Sequence, residues 1–251
     1  MEKLRLLTYN LHFGGRKDQN LWERMMNDFV PDIVFAQETR HPLEYFTQQR
    51  FANLGGCVHQ SVQTHQQWGS AIVSMQHRLL PVPVTDGDYD GWVVGALAPD
   101  IEIGGNVQDV LLVSFHAPSL KKGTYEKHVE TILEQIKSRW PNTPKIIGGD
   151  FNLTTAFSSS ESKLGENTGG ELRILRKLKE ELGVTNAWQH LYPRTELPQT
   201  LRWSTDKSIP YHCDAIFVDM KFIPHIAQAE VHKDGQWGFL SDHNPILVTL
   251  S

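Results

Sequence analysis

The sequence has little cysteine, no long apolar run and no excess of positive charge. Its two cysteines, Cys57 and Cys213, are too few for a disulfide scaffold and are not spaced as in a zinc knuckle. We therefore expect both to be small, buried side chains. No segment approaches the roughly 18 apolar residues that a membrane-spanning helix needs. The N-terminal segment also lacks the apolar core and cleavage site of a secretory signal. These absences predict a cytoplasmic protein without a transmembrane segment.

The charge balance is mildly acidic. The chain carries 24 Lys and Arg against 29 Asp and Glu, a formal net charge of −5. Most nucleic-acid-binding proteins instead have a basic surface. Metal ions or a local basic patch can still neutralise phosphates, so a polyanionic substrate is not excluded. The length of 251 residues and the hydrophobic content of 39% predict one domain that spans residues 1–251.

Short strand-like runs are interleaved with helical patterns. The strand-like runs are rich in Val, Ile, Leu or Phe and are bounded by turn residues. Apolar residues at helical spacing mark the helices. The predicted strands are 4–11, 32–38, 69–75, 109–117, 144–151, 213–218 and 245–250. The predicted helices are 20–30, 124–140 and 169–182. This order of elements predicts an α/β protein.

The stretch KIIGGDFNLT at 145–154 ends an apolar run in two glycines and two polar residues. Side chains two positions apart on extended backbone share a face, so Asp150 and Asn152 are expected to project into one space. We attribute to Gly148 and Gly149 a turn of the backbone and room for a ligand to approach. The stretch therefore predicts the rim of a functional site.

Polar residues recur at or just beyond the predicted strands. Any one of them could simply form a turn or cap a helix. Together they indicate function, because reactive groups tend to lie on loops at the ends of rigid strands. Their hard oxygen ligands favour Mg²⁺ or Mn²⁺, and a histidine supported by Asp can move a proton or stabilise charge. This chemistry suits metal-assisted attack of water on a phosphoester. The residues are Asn10, Glu38, His116, Asp150, Asn152, Asp214, Asp242 and His243.

The motifs around these residues resemble those of the endonuclease/exonuclease/phosphatase superfamily. The matching segments run in the same order from residue 8 to residue 248 and are TYNLH, FAQET, VSFHAPS, GGDFN, CDAIFV and LSDHNPI. The resemblance implies a four-layer α/β sandwich, with two packed mixed β-sheets flanked by helices. It also implies that Glu38 binds Mg²⁺ or Mn²⁺, with Asn10 beside it and Asp242 as a further metal contact.

The resemblance further implies catalytic roles. Asp214 would hold His243, and His243 and Asn152 would contact the scissile phosphate. Asp150 would align or deprotonate the attacking water, although the general base could be either Asp150 or His243. His116 would bind a phosphate oxygen or assist the leaving group. The expected enzyme is a Mg²⁺-dependent phosphodiesterase, either a nuclease or a general phosphodiesterase, and it is expected to be a monomer.

Two departures from the abasic-site endonucleases argue against DNA repair. His12 stands where those enzymes usually carry an acidic residue, and they lack the histidine that His116 supplies. One alternative is a phosphomonoesterase acting on inositol phosphates or other small phosphorylated molecules. Others are a non-catalytic binding protein with the same fold and a zinc hydrolase that uses His12, His116 and His243. Trp203 could stack on a nucleobase of the substrate or belong to the core.

Overall fold

The computed structural model describes residues 3–15, 20–62, 67–120, 122–158, 166–202 and 209–251. These ranges contain twelve strands. They are β1 Leu4–Asn10, β2 Ile33–Thr39, β3 Gly56–Ser61, β4 Gly69–Ser74, β5 Leu80–Val82, β6 Val93–Ile103, β7 Asn106–His116, β8 Lys145–Asp150, β9 Val184–Asn186, β10 Asp214–Asp219, β11 Ile226–Val231 and β12 Ile246–Leu250.

The same ranges contain seven α-helical segments. They are α1 His12–Gly15, α2 Leu21–Phe29, α3 Gln48–Ala52, α4 Tyr125–Arg139, α5 Gly169–Arg176, α6 Ala187–Leu191 and α7 Trp237–Leu240. The α1 segment is a single turn in which Phe13 and Gly14 have positive φ. Helix α4 begins after Thr124, whose side chain accepts a hydrogen bond from the Lys127 backbone N–H and so caps the helix. No helix in the described ranges is long and apolar enough to cross a lipid bilayer.

The strands form two six-stranded mixed sheets. The first sheet has the order β11-β12-β1-β2-β4-β3, and the second has the order β5-β6-β7-β8-β10-β9. Each sheet contains one parallel pair, β1 with β2 and β7 with β8, and its other pairs are antiparallel. Helix α2 connects the first parallel pair and α4 connects the second. Each unit is thus a strand–helix–strand crossover.

Three apolar clusters fill the spaces between the layers. Residues of both sheets, such as Phe35 and Leu112, form the cluster between the sheets. A second cluster joins the outer face of the second sheet to α4 and α5, and a third joins the outer face of the first sheet to α2. Both faces of the central strands are buried, which explains why the sequence shows continuous apolar runs instead of alternation. The predicted four-layer α/β sandwich is confirmed.

All seven predicted strands and all three predicted helices exist, and their ends lie within three residues of the prediction except at α5, which ends at Arg176 and is followed by a π-helical turn at Lys177–Glu181. Strands β3, β5, β6, β9 and β11 were not predicted from the sequence. The sequence did contain a signal for the β6–β7 hairpin, the two consecutive glycines Gly104 and Gly105 that connect the strands. Their φ angles are 60° and 77°. Two consecutive residues with positive φ make the tight turn that favours a hairpin.

The interpretation of Gly148 and Gly149 was wrong. Both lie inside β8 and neither forms a turn. A Cβ on Gly148 would come within 2.5 Å of the Phe35 ring of the other sheet, and one on Gly149 within 1.8 Å of the Phe115 carbonyl oxygen. These glycines are therefore needed for close packing of the sheets and strands and not for the approach of a ligand.

Candidate active site

Four of the predicted residues lie at the same end of the sandwich because they follow parallel strands. Asn10 ends β1 and Glu38 lies near the end of β2. His116 ends β7 and Asp150 ends β8, and these two residues are register partners. The two crossover units therefore bring two residues each to this end of the molecule.

The remaining carboxylates and His243 lie at or just before the starts of antiparallel strands. Asp214 begins β10 and is the register partner of Asp150. Asp242 and His243 precede β12, which is antiparallel to β1. Because antiparallel neighbours run in opposite directions, the start of one lies beside the end of the other. Six of the eight predicted residues line a cavity of about 430 Å³. They are Glu38, His116, Asp150, Asn152, Asp242 and His243.

We call Asp150, Asp214 and His243 the buried cluster. Nδ1 of His243 lies 2.9 and 3.1 Å from the two carboxylate oxygens of Asp214 and donates to them. Nε2 lies 3.7 Å from Oδ2 of Asp150. Burial alone would lower the pKa of His243, but the negative charges of Asp214 and Asp150 raise it to about 10. His243 is therefore protonated at neutral pH, with Nε2 directed towards Asp150.

Asp150 is held by neutral donors as well as by His243. Its Oδ2 accepts a hydrogen bond from Nδ2 of Asn10 at 3.0 Å, and its Oδ1 accepts one from the Asn152 backbone N–H at 2.9 Å. Burial raises the pKa of Asp150, and the positive charge of His243 opposes that effect. A carboxylate with a raised pKa is a better proton acceptor than an exposed one.

Asn152 lies where two cavities meet. It has a positive φ of 51°, which is uncommon for residues other than glycine. Its side chain lines the 430 Å³ cavity and also a neighbouring cavity of about 250 Å³. Its Nδ2 has only long contacts of 3.5 Å, to the Ala117 carbonyl and to Asp150. The amide is thus well placed to donate to a group bound in the larger cavity.

His116 lies between aromatic rings and carboxylates. Its ring centroid is 5.0 Å from that of Trp92 and 5.8 Å from that of Trp68. Its Nε2 is 3.9 Å from carboxylate oxygens of both Glu38 and Asp150. Nδ1 is buried and has no hydrogen-bond partner among the described residues. The two tryptophans also line the cavity, and the sequence analysis did not identify them.

Glu38 is aimed into the cavity by an irregular strand end. The pairing of β2 with β4 shifts register between Ala36 and Thr39, and Glu38 itself has a φ of 49°. Such an irregularity redirects a side chain at the end of a strand. Oε2 of Glu38 accepts a hydrogen bond from the Phe13 backbone N–H at 2.8 Å. Oε1 lies 3.4 Å from Nδ2 of Asn10, so one carboxylate oxygen faces the other functional residues.

His12 forms a hydrogen bond with Asp242 that the sequence analysis did not predict. Its Nδ1 lies 2.9 Å from Oδ1 of Asp242, and both side chains are about one-third exposed, at 32% and 33%. Burial raises the pKa of Asp242, but the hydrogen bond from His12 and the positive charge of His243 lower it to about 2. Asp242 is therefore ionised at neutral pH. The signal in the sequence was the position of His12, two residues after Asn10.

The donor set fits a hard divalent cation. Glu38 and Asp242 present carboxylate oxygens to the cavity, and Asn10 offers an amide beside Glu38. Oxygen ligands of this kind suit Mg²⁺ or Mn²⁺.

A different group also brings three potential ligand atoms within 4.8 Å of one another, from Asp150, Cys213 and His243. Burial raises the pKa of the Cys213 thiol well above its usual value, so the sulfur is protonated. The zinc alternative that uses His12, His116 and His243 gains no support, because those histidines form no such group in the described part of the chain. Cys213 is buried as expected, whereas Cys57 is only half-buried.

One expectation falls outside the described ranges. Trp203, the candidate stacking residue, lies in 203–208, outside the described residues. Its neighbour Leu201 is described and lines both cavities.

A family model matches the chain over residues 7–243, which is nearly its whole length. The model describes the Endonuclease/Exonuclease/phosphatase family. No curated protein sequence matches the chain.

Several solved structures share the fold. An AP endonuclease from Archaeoglobus fulgidus has 17% sequence identity and a TM-score of 0.70, and the match covers 99% of both chains. The 3′ phosphatase NExo from Neisseria, bound to a product DNA hairpin, has 18% identity and a TM-score of 0.72, with 99% of both chains covered. The endonuclease domain of TRAS1, a telomere-specific non-LTR retrotransposon, has 19% identity and a TM-score of 0.67, over 99% of this chain and 98% of that one. At these identities the likeness establishes the fold alone.

Proposed function

The chain belongs to the Endonuclease/Exonuclease/phosphatase family of metal-dependent phosphoesterases, and we propose that it is a Mg²⁺-dependent phosphodiesterase of the nuclease type. The observation that carries the proposal is the buried cluster beside the cavity, in which Asp214 and Asp150 hold His243 protonated. Because the His243 imidazolium lines the cavity, it can stabilise negative charge on a bound phosphate group. We also propose that residues 1–251 form a single domain.

Glu38, Asn10 and Asp242 would hold the metal ion. When bound, a divalent cation supplies positive charge that polarises the phosphate and neutralises charge developing on its oxygens. We favour Mg²⁺ because Glu38 and Asp242 offer carboxylate oxygens to the cavity and because Mg²⁺ is commonly bound by one or two carboxylates. Mn²⁺ accepts the same ligands and is the expected substitute.

The protonation states of His243 and Asp150 assign different catalytic roles to these two residues. His243 carries a proton at neutral pH, so it donates to a phosphate oxygen and does not act as the base. Asp150 is then the acceptor of the proton that the attacking water releases, and its raised pKa suits that role. Asp214 fixes the His243 ring through Nδ1. Asn152 donates to a second phosphate oxygen, and His116 contacts a phosphate oxygen or the leaving group through Nε2.

The similar structures support nucleic acid as the substrate class. Two of them are endonucleases, and the third is a 3′ phosphatase bound to a product DNA hairpin. The third also supports a second candidate, the removal of a terminal phosphate from a nucleic-acid end. Both candidates use the same attack of water on phosphorus. They differ in the substrate, because a phosphodiester carries two ester groups on that phosphorus and a terminal phosphate carries one.

A substrate panel tests this proposal. Metal-stripped protein is incubated with supercoiled plasmid, single-stranded DNA, RNA, a generic phosphodiester and phosphoinositide head groups, each with and without Mg²⁺. His243→Ala is run beside the wild type, and His190→Ala, which changes an exposed histidine, serves as the matched control. We expect Mg²⁺-dependent cleavage of a nucleic acid by the wild type and by His190→Ala, and none by His243→Ala.

The other outcomes identify the alternatives. Release of inorganic phosphate alone would make the protein a phosphomonoesterase. Inactivity of the wild type on every substrate would favour a binding protein that retains the fold. A nuclease should also bind its substrate less tightly as salt rises, because neutralised phosphates release counterions. A small-molecule phosphatase should show a much weaker dependence on salt.

A further inference from the structure

The segment Thr200–Arg202 connects the two partners of the His243–Asp214 ion pair. At one end, Oγ1 of Thr200 accepts hydrogen bonds from the backbone N–H groups of Cys213 at 3.0 Å and Asp214 at 3.1 Å. Between them, Leu201 forms an isolated β-bridge with His243. The segment therefore lies against both the start of β10 and the loop that carries His243.

Arg202 bonds to each residue of the loop 241–244. Its backbone N–H donates to the Asp242 carbonyl at 2.8 Å. Its Nη2 donates to the carbonyl oxygens of Ser241 at 2.6 Å and His243 at 3.0 Å, and its Nη1 donates to the Asn244 side chain. The planar fork of a guanidinium group can serve three acceptors at once, which an ammonium group on a flexible stem does less well.

We propose that Arg202 is a positioning residue that holds the His243 imidazole against Asp214 and towards Asp150; this inference rests on the proposed function. The guanidinium fixes the carbonyls of Ser241 and His243, on both sides of Asp242, so the backbone that carries the His243 ring cannot shift without breaking one of these bonds. A displacement of about 1 Å of a catalytic group can lower a rate by about 10²-fold. Arg202 thus acts on the reaction through His243.

Two observations separate this role from direct catalysis. Among the described residues that line the 430 Å³ cavity, Leu201 is present and Arg202 is not. All three side-chain bonds of Arg202 named above go to the loop 241–244. We therefore expect substrate binding to depend little on Arg202 and the chemical step to depend on it strongly.

Arg202→Met and Arg202→Lys test the proposal, and Arg5→Met is the matched control. Arg5 also donates from two side-chain nitrogens to a backbone carbonyl, that of Phe29, at 3.0 and 2.6 Å. It lines a separate cavity away from the buried cluster. We expect kcat to fall about 10- to 100-fold in Arg202→Met, with KM within about two-fold of wild type. Arg202→Lys should recover part of the loss, and Arg5→Met should keep the wild-type kcat.

A spectroscopic readout makes the test independent of turnover. The proton that His243 Nδ1 donates to Asp214 should give a strongly downfield NMR resonance, assigned by its loss in His243→Ala. We expect Arg202→Met to broaden or shift that resonance while the protein stays folded, and Arg5→Met to leave it unchanged. Low millimolar guanidinium should partly restore both kcat and the resonance in an Arg202→Ala variant.

The outcomes distinguish this inference from the proposed function. If the wild type is inactive on every phosphoester, the proposed function fails, and the NMR comparison still shows whether Arg202 positions His243. If the wild type is active and Arg202→Met keeps both its kcat and its resonance, the positioning role is wrong and the proposed function stands. Equal losses in Arg202→Met and Arg5→Met would also overturn the positioning role, because they would reflect general destabilisation.

Discussion

Two buried histidines lie close to Asp214. His212 precedes it by two positions in the chain, and His243 contacts its carboxylate. At neutral pH the surroundings keep His212 neutral and His243 protonated. His243 faces Asp214 and Asp150, and its pKa is raised to about 10. His212 donates from Nδ1 to the Pro198 carbonyl at 2.8 Å and packs near Trp188. Burial lowers the pKa of His212 to about 4, and the Pro198 bond offsets only part of that effect.

The difference shows that burial does not by itself make a histidine a catalytic candidate. Burial disfavours the charged form of both rings, and only the neighbouring carboxylates reverse that preference at His243. His212 is a neutral part of the packing, whereas His243 is a cation kept beside a cavity. The clearest experiments change His243 or its partner Asp214 and compare the result with a change at His212.

The largest effect is expected from removing the His243 ring. In His243→Ala the donor to the phosphate is lost, so we expect kcat to fall about 10²- to 10⁴-fold, the usual contribution of acid–base catalysis. His212→Gln should keep kcat within a few-fold of wild type, because its ring does not contact the buried cluster. Steady-state kinetics on the best substrate of the panel measure both variants, and similar losses in the two would contradict the distinction.

Removing the partner carboxylate should come next. In Asp214→Asn we expect the pKa of His243 to fall from about 10, because burial lowers that pKa and the negative charge of Asp214 is the main effect that opposes it. The rate should fall about 10²-fold, since a smaller share of the enzyme then carries the proton and the ring is held less firmly. NMR titration of the His243 ring against pH measures the pKa, and an unchanged titration would show that Asp214 is not the controlling charge.

A smaller effect is expected at the half-exposed side of the site. Glu38→Gln keeps the shape of the side chain and removes its charge, so we expect the Mg²⁺ concentration for half-maximal activity to rise at least about ten-fold. Glu44→Gln changes an exposed carboxylate in the nearby 3₁₀ turn Pro42–Glu44 and should leave that concentration unchanged. Activity measured against Mg²⁺ concentration would contradict the metal role if Glu38→Gln responded as the wild type does.

The smallest effect on activity is expected at His212, where the predicted change is in the pH dependence of stability. Its folded pKa of about 4 is below the unfolded value of about 6.5, so the unfolded chain binds the proton more readily. The stability that this histidine contributes is present above pH 6.5 and is lost as pH falls towards 4. At pH 5 we expect a loss of about 2 kcal/mol in the free energy of unfolding.

His212→Gln isolates that contribution. Urea unfolding at pH 7 and at pH 5 should show a smaller drop in the free energy of unfolding for the variant than for the wild type. The pH dependence at His243 has the opposite sign, because its folded pKa lies above the unfolded value. The stability that His243 contributes is therefore lost as pH rises from about 6.5 towards 10. Identical pH dependence in wild type and His212→Gln would contradict the charge state assigned to His212.

Much of the fold could be predicted because the central strands are buried on both faces. Their continuous apolar runs made β1, β2, β7 and β8 visible in the sequence. Among the missed strands, β5 and β9 have only three residues and β3 is half-exposed along most of its length, so their sequences resemble loops. Gly148 and Gly149 were misinterpreted because their neighbours come from other strands, which no local pattern shows.

The candidate site follows the same rule. Its candidate residues could be named because they stand at the ends of predicted strands, where parallel and antiparallel pairing bring them to one end of the sandwich. The pairing of His12 with Asp242 and the bonds of Arg202 to the loop 241–244 join residues about 40 to 230 positions apart. Such contacts depend on the tertiary arrangement, and a single sequence does not contain them in readable form.

The most direct measurement is the fate of the oxygen from water. A Mg²⁺-loaded sample of the wild type cleaves a generic phosphodiester in ¹⁸O-labelled water, and mass spectrometry locates the label. We expect one ¹⁸O atom on the phosphate product, with no cleavage by metal-stripped protein and a strongly reduced rate in Asp150→Asn. Label on the alcohol product, or equal cleavage by wild type and Asp150→Asn, would contradict metal-dependent attack of water on phosphorus with Asp150 as the proton acceptor.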